Sequence, residues 1–381
     1  MSNSKPGLII FYDHFYPAYK AGGPIQSLTN LVLNLQDTYS ISVICSAYDL
    51  NDDTMPEGIE VDKWTTVKLP GSPHEISTWY AGKNKMGMSS VKEAVSTAVP
   101  GIIYLNGMFS YTYVLVPLML FRKNKIVICP RGMLQKGALA GKALKKKIYL
   151  GLLKISGFCS RVSWHATNEE EKHDIARIFG QRSRITVAGN IPVKPLEKIV
   201  IPEKEEGKLR LVYLSLITEK KNLLRLINII AASKAGITLD IYGPVKDEAY
   251  WASCQESIKM NPGKINYRGD VKPEVVQQVF SKYDASILLT KGENFGHALY
   301  ESLSAGRPVI TSHFTPWNQL NEKRAGWNAD IADDSSIEQL LEKLAGMKAG
   351  NFKEYCTGAH ALAKQYYLNG FDVNIYKKIF S

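Results

Sequence analysis

In the run Lys291-Gly-Glu-Asn-Phe-Gly-His-Ala-Leu-Tyr-Glu301, two carboxylates flank a glycine-rich turn with seven residues between them. The run follows an apolar segment, 286–289, that reads as a strand, and it leads into a helical pattern near Gly296. A helix opening there leaves Glu293 on the turn and sets Glu301 about one and a half helical turns inside. The N–H groups at Asn294, Phe295, Gly296 and His297 then form a helix N-terminus, which is a ready anion site. Carboxylates beside such a site can accept hydrogen bonds from sugar hydroxyls. Taken alone, Glu293 reads equally well as an acidic residue that only complements the helix dipole.

Three further segments carry groups suited to a phosphate ligand. Lys220 and Lys221 follow the apolar run 209–214 and precede a helical pattern, where a lysine reaches a ligand at the carboxyl end of a strand; an exposed lysine pair is also an ordinary solvated surface. Gly22-Gly23 stands between the first predicted strand and the first predicted helix, so the backbone can approach a ligand closely or simply turn. Asn106-Gly107 follows the run 101–105 and opens to the same side, as a candidate contact for a second substrate. Of the histidines, His297 adjoins the glycine-rich turn, whereas His14, His74, His165, His173, His313 and His360 show no metal-ligand spacing and read as structural.

These residues need rigid elements to hold them, and the sequence supplies two sets. In the first half, strands are predicted at 8–11, 40–45, 101–105, 126–129, 163–166 and 185–187, with helices at 23–35, 111–121, 139–155 and 168–179. After a Pro-rich, charged and aperiodic linker at 193–207, strands follow at 209–214, 238–242, 265–267, 286–289 and 308–310, with helices starting near Asn222, Lys246, Lys272 and Gly296. Short apolar runs alternating with helical patterns predict parallel sheets wrapped by helices. The expectation is therefore an α/β chain of two Rossmann-like, doubly wound domains facing across a cleft: 1–192, then 208–364, with a C-terminal helix in 365–381 packing back on the first domain. Ligands of such sheets bind outside the carboxyl ends of the strands.

Composition narrows the function classes. The 381 residues are 45% hydrophobic and 22% charged, ordinary for a folded protein, but 47 Lys and Arg against 36 Asp and Glu leave a formal charge of +11. The excess is local: no Asp or Glu occurs from Ala94 to Asn168, a stretch holding Arg122, Lys123, Lys125, Arg131, Lys136, Lys142, Lys145, Lys146, Lys147, Lys154 and Arg161. Such a field attracts phosphates, or it is a solvated face. In the basic helix near 136–155, Leu144, Ile148, Leu152 and Ile155 form one stripe, expected to pack on the first sheet, while the lysines remain available to anionic headgroups or a diphosphate-bearing acceptor. Nucleic-acid modules are absent from the pattern. The uncharged stretch 99–121 contains prolines and polar residues and reads as a buried strand, turn and helix rather than a span. Five scattered cysteines without a C-x-x-C pair read as buried thiols of a reducing cytoplasm. With no signal-peptide pattern at the start, the expected location is cytoplasmic, with peripheral contact to the inner membrane face.

In chain order, Tyr16-Pro…Gly22-Gly23, Pro130-Arg-Gly-Met-Leu134, His165-Ala-Thr-Asn-Glu-Glu-Glu171, Gly189-Asn-Ile-Pro192, Lys220-Lys-Asn222, Gly292-Glu-Asn-Phe-Gly-His…Glu301 and Thr315-Pro-Trp317…Gly326-Trp327 resemble glycosyltransferase family 4. The resemblance spans nearly the whole chain and looks most similar to bacterial members that build lipopolysaccharide or capsule chains. It implies a GT-B fold and a retaining transfer of a hexosyl or N-acetylhexosaminyl group from a UDP- or GDP-sugar to a glycan or polyprenyl-diphosphate-linked acceptor. It further implies that Glu301 binds the ribose hydroxyls and Glu293 a hydroxyl of the sugar. Lys221 would neutralise the departing diphosphate with the backbone near Gly23, Phe295 and Gly296. No cofactor is implied, and with no D-x-D motif to hold a metal, the lysine and the helix N-terminus take over that work. Two positions depart from the family pattern. Leu216 stands where an Arg is usual, and Arg131-Gly132 replaces the usual His-Gly. Arg131, with Asn106, is placed at the acceptor and could supply the cation missing at Leu216.

Overall fold

A computed structural model describes residues 5–83, 87–99, 101–140 and 143–381, apart from the Cys159 side chain. Lys142 and Pro100 therefore lie outside the described residues. The chain divides into two compact units, Met1–Ile191 with Phe371–Ser381, and Pro192–Gly370.

The first unit contains, in order, β1 (Gly7–Phe11), α1 (Gly23–Leu35), β2 (Ser40–Ser46), β3 (Trp64–Lys68), β4 (Glu75–Ala81), α2 (Met88–Ser96), β5 (Gly101–Asn106), α3 (Val116–Leu120), β6 (Ile126–Cys129), α4 (Lys136–Ala140), α5 (Ala143–Ile155), β7 (Ser163–Ala166), α6 (Glu169–Phe179) and β8 (Arg184–Val187). Its sheet has the strand order β3-β4-β2-β1-β5-β6-β7-β8, parallel except at the β3–β4 edge. β1 and β6 are buried along their whole length, as expected of strands covered by helices on both faces. The hairpin β3–β4 and helix α2 were not predicted; β3 is a half-exposed edge strand and lacks the continuous apolar run of a central one. The segment 111–121 begins as a single π-turn at Tyr111–Leu115, capped by the Ser110 side chain, before α3 continues it.

One expectation fails here. The stripe Leu144, Ile148, Leu152 and Ile155 does not pack on the sheet; all four side chains are exposed, and α5 is held instead by Leu150 and Leu153 on its opposite face. Both faces of this helix are apolar, so periodicity alone does not say which one meets the sheet.

The second unit follows with β9 (Lys208–Leu214), α7 (Leu223–Ala232), β10 (Gly236–Tyr242), α8 (Glu248–Lys259), β11 (Ile265–Tyr267), α9 (Val276–Phe280), β12 (Ala285–Leu288), α10 (His297–Ser304), β13 (Val309–Ser312), β14 (Gly326–Ala329), α11 (Asp334–Ala345) and α12 (Ala349–Asn369). Its strands are all parallel, in the order β11-β10-β9-β12-β13-β14. Because α12 continues to Asn369, residues 365–369 belong to this unit. The last helix, α13 (Val373–Phe380), returns to the first unit, where Tyr376, Ile379 and Phe380 are buried with residues of β1, β2 and α1.

Among the described residues, no helix is long and apolar enough to cross a membrane. Cys45, Cys129, Cys254 and Cys356 are free and buried.

Candidate functional site

In an open parallel sheet the loops diverge where the strand order reverses, and that switch point forms a crevice at the carboxyl ends of the strands. In the second unit the reversal falls between β9 and β12, which pair through Leu211 and Val212. The loop after β9 carries Lys220 and Lys221, and the loop after β12 carries Glu293. The two loops are joined by the backbone, Lys291 N–H donating to Lys220 O at 2.9 Å. Lys221 Nζ and the Glu293 carboxylate form an ion pair, both side chains mostly covered. Burial and the adjacent Lys221 push the Lys220 ammonium below the usual lysine range.

The turn before α10 is fixed by one backbone conformation and one aromatic residue. Gly296 has φ 77°, in the left-handed region, where a Cβ would lie 3.0 Å from the Leu299 side chain. Trp317 Nε1 donates to Phe295 O at 2.6 Å, and the Phe295 ring packs among Trp317, Tyr300 and Tyr366, with His297 edge-on at 4.7 Å. The N–H groups of Phe295 and Gly296 meet no acceptor among the described residues. Glu301, on α10, is buried, and no described group donates a hydrogen bond to its carboxyl; burial pushes its pKa up to about 8. Burying a carboxyl without a hydrogen-bond partner is costly.

In the first unit the reversal falls between β1 and β5. Gly22, at φ 75°, caps α1, and Gly23 opens that helix. Asp13, which follows β1, was not singled out from sequence, since one Asp after a strand carries no pattern. It accepts a hydrogen bond from Ser110 Oγ at 2.9 Å, and burial raises its pKa above the usual carboxyl range. With His14, Tyr48, Asp52, Lys83 and Tyr113 it lines a pocket of about 420 Å³.

Arg131 and Asn106, both expected at the acceptor, are in direct contact. Arg131 Nε donates to Asn106 Oδ1 at 2.6 Å, Nη1 to Asn190 Oδ1 at 2.5 Å and Nη2 to the Tyr104 hydroxyl at 3.2 Å. Asn190 also accepts from Ser27 of α1 at 3.0 Å, so Arg131 links the β6 loop to α1. Since Ala188 O can only accept, His165 carries its proton on Nε2 (2.9 Å) and accepts from Tyr104 at Nδ1 (2.8 Å). Burial, reinforced by Arg131, pushes His165 down to about 3, so the ring is neutral. Glu171 holds the same turn by accepting from Gly132 N–H at 2.6 Å and from Thr167 N–H and Oγ at 2.7 and 2.6 Å. The guanidinium keeps one N–H on each terminal nitrogen outside this network.

The predicted site residues thus fall into two groups. Lys221, Glu293, Asn294, Phe295, Gly296, His297 and Glu301 lie together in the second unit; Gly23, Asn106 and Arg131 lie in the first. Leu216 is in the β9 loop, its carbonyl accepting from the Tyr213 hydroxyl at 3.5 Å. Among the described residues no cluster of three His, Cys, Asp or Glu side chains could hold a metal ion.

Residues 196–355 match the family model described as glycosyl transferases group 1. A search of curated proteins finds no match. Among solved structures, HepE from Anabaena in complex with UDP and glucose is similar over 98% of each chain at 14% identity and TM-score 0.69. WaaG, a glycosyltransferase involved in lipopolysaccharide biosynthesis, matches over 98% of each chain at 11% identity and TM-score 0.65. A variant of TarM from S. aureus in complex with Fondaparinux, alpha-GlcNAc-glycerol and UDP matches over 99% of this chain and 100% of its own, at 10% identity and TM-score 0.68. The chain has the GT-B fold, and within its second unit residues 196–355 match the glycosyl transferases group 1 model.

Proposed function

We propose that the protein is a retaining, metal-independent enzyme that transfers a hexosyl or N-acetylhexosaminyl group from a UDP- or GDP-sugar to a glycan or polyprenyl-diphosphate-linked acceptor in bacterial surface polysaccharide synthesis. The observation that carries this reading is the Lys221–Glu293 pair at the β9–β12 switch point, beside the α10 N-terminus and the unpartnered Glu301. Each group meets one part of a nucleotide sugar. Lys221 and the N–H groups of Phe295 and Gly296 neutralise the charge that develops on the departing diphosphate, the term that dominates such reactions. Glu293 accepts from a sugar hydroxyl, and Glu301 from the ribose.

Retention follows a front-face path. The anomeric C–O bond to phosphate breaks, the acceptor oxygen bonds the same face, and its proton passes to the departing phosphate oxygen. No protein nucleophile is needed. Asn106, Arg131 and the pocket at Asp13 serve the acceptor. The UDP in the HepE and TarM structures and the role of WaaG in lipopolysaccharide biosynthesis favour UDP and a surface glycan. Contact with an anionic cytoplasmic membrane face belongs to this reading through the lysines of α5.

The test is thermal stabilisation against UDP-, GDP-, ADP- and dTDP-sugars, repeated with Glu301→Ala. A ligand at 100 times its Kd adds about 2.7 kcal/mol. One donor class should stabilise the protein and lose its effect in the variant; no stabilisation by any would refute the reading. A second reading, a nucleotide-sugar-binding protein without transfer, is favoured by Leu216 in place of the usual Arg; donor binding without transfer or hydrolysis would establish it.

A further inference from the structure

The outward face of α5 carries a row of apolar side chains. Leu144, Ile148, Leu152 and Ile155 are 72%, 55%, 64% and 87% exposed. Their spacing of four, four and three residues keeps them within an arc of about 80° along a helix roughly 20 Å long. Lys145 borders this arc on one side, and Lys147 and Lys154 on the other, all three exposed. Lys146 is turned away, its ammonium donating to Ala138 O within reach of the Phe109 ring. Just past the helix, Arg122 stands over the Phe158 ring at 4.7 Å and adds a cation at that end. No Asp or Glu occurs in the sequence from Ala94 to Asn168.

An apolar stripe left in water marks an interaction surface, and one flanked by lysines has the build of a helix lying in a lipid interface. We propose that α5 docks the first unit on an anionic phospholipid leaflet, the four apolar side chains entering among the acyl chains and Lys145, Lys147 and Lys154 meeting headgroup phosphates. Charge selects this occupant. Antiparallel pairing of two copies through the stripe would set one row of lysines against another with no carboxylate on the helix to compensate. A nucleic acid would satisfy the lysines but leave the stripe in water. The inference adds insertion to the headgroup contact of the lysines and does not depend on the donor chemistry.

The test is flotation of the full chain with vesicles of phosphatidylcholine alone or mixed with phosphatidylglycerol. Wild type should float with the mixed vesicles. A variant carrying Leu144→Gln, Ile148→Gln, Leu152→Gln and Ile155→Gln should partition at least about tenfold more weakly at any salt concentration. It should keep its Tm, because the four positions are exposed. Changing Lys145, Lys147 and Lys154 to Gln should weaken binding about fivefold per lysine at low salt, and have little effect near 1 M salt, where the Debye length is about 3 Å. Equal flotation of wild type and the glutamine variant, or none by wild type, overturns the proposal. So does a wild-type dimer in sedimentation that the glutamine variant abolishes, since the stripe would then belong to a second copy.

Discussion

Lys221 and Glu293, 72 residues apart in sequence, neutralise each other across the switch point of the second sheet. In the proposed reaction they have different partners, the diphosphate for Lys221 and a sugar hydroxyl for Glu293. A donor must therefore separate them on entry, and a nucleotide without its sugar competes with Glu293 for the lysine while offering the carboxylate nothing.

This competition predicts a divergence between binding and turnover. Glu293→Gln should bind UDP a few times more tightly, because Lys221 loses its charged competitor. Transfer should fall about 10²–10³-fold, the scale of losing one positioned group at a charged transition state. Lys221→Met should weaken both. Titration calorimetry with UDP and turnover with the nucleotide sugar measure the two quantities; a Glu293→Gln variant that loses both in parallel would place the carboxylate outside this competition.

Glu301 predicts a pH dependence. An ordinary glutamate ionises near pH 4.5, whereas burial pushes this one to about 8. In the ligand-free protein the raised value means the proton is bound in the folded state and released on unfolding. The resulting stability is complete below pH 4.5 and is lost as pH rises through 8. Ribose hydroxyls donate to a carboxylate, so donor binding favours the ionised form. Affinity should rise about tenfold between pH 7 and 9 as the ionised fraction grows, with proton release below pH 8. Glu301→Gln should bind more weakly with a flat profile. A wild-type affinity independent of pH across this range would show that the donor does not meet the carboxylate.

The sheets and the Glu293–Glu301 turn were legible because each has a local cause. Parallel strands such as β1, β6 and β12 are continuous apolar runs, and the turn is bracketed by glycines before a helix. The hairpin β3–β4 was missed because Trp64–Lys68 lies at a sheet edge and alternates with solvent. The partners of Arg131 come from two segments distant in sequence, Tyr104 and Asn106 on β5, 27 and 25 residues away, and Asn190 after β8, 59 residues away; no local pattern announces them. The face of α5 was misread because Leu150 and Leu153 form a second apolar stripe, and only the packing decides between the two.

The Arg131 network predicts a stability effect separable from turnover. Removing the guanidinium leaves Asn106 Oδ1 without a donor and takes one partner each from Asn190, which keeps Ser27, and Tyr104, which keeps His165; an unsatisfied buried group costs about 1–3 kcal/mol, and the two lost hydrogen bonds add to it. After partial relaxation, Arg131→Met should cost about 3 kcal/mol, a fall of about 6–12 °C in Tm for a unit of this size. Arg131→Lys should recover part of the stability, because one ammonium can reach only some of these acceptors. If Arg131 also serves the departing diphosphate, the Lys variant should retain more turnover than Met at equal folded fraction. Unchanged turnover and donor binding in Arg131→Ala would remove that second role and leave a purely structural residue.

Asp13 predicts where acceptor and donor effects part. It sits at the other unit's switch point, held by Ser110 and raised above the usual carboxyl range by burial. Its pocket combines a carboxylate with the rings of Tyr48 and Tyr113, suited to a sugar through hydroxyl contacts and stacking. Asp13→Asn keeps the shape and the Ser110 contact but removes the charge that orients an acceptor hydroxyl. The acceptor KM should rise about tenfold, the cost of roughly one charge-assisted hydrogen bond, while donor Kd and the slow hydrolysis of donor by water stay the same. Because the wild-type carboxyl ionises above its usual range, the acceptor KM should fall as pH rises through that ionisation, and the Asn variant should lack the slope. An Asp13→Asn variant that changes donor Kd and acceptor KM equally would remove the pocket from acceptor recognition.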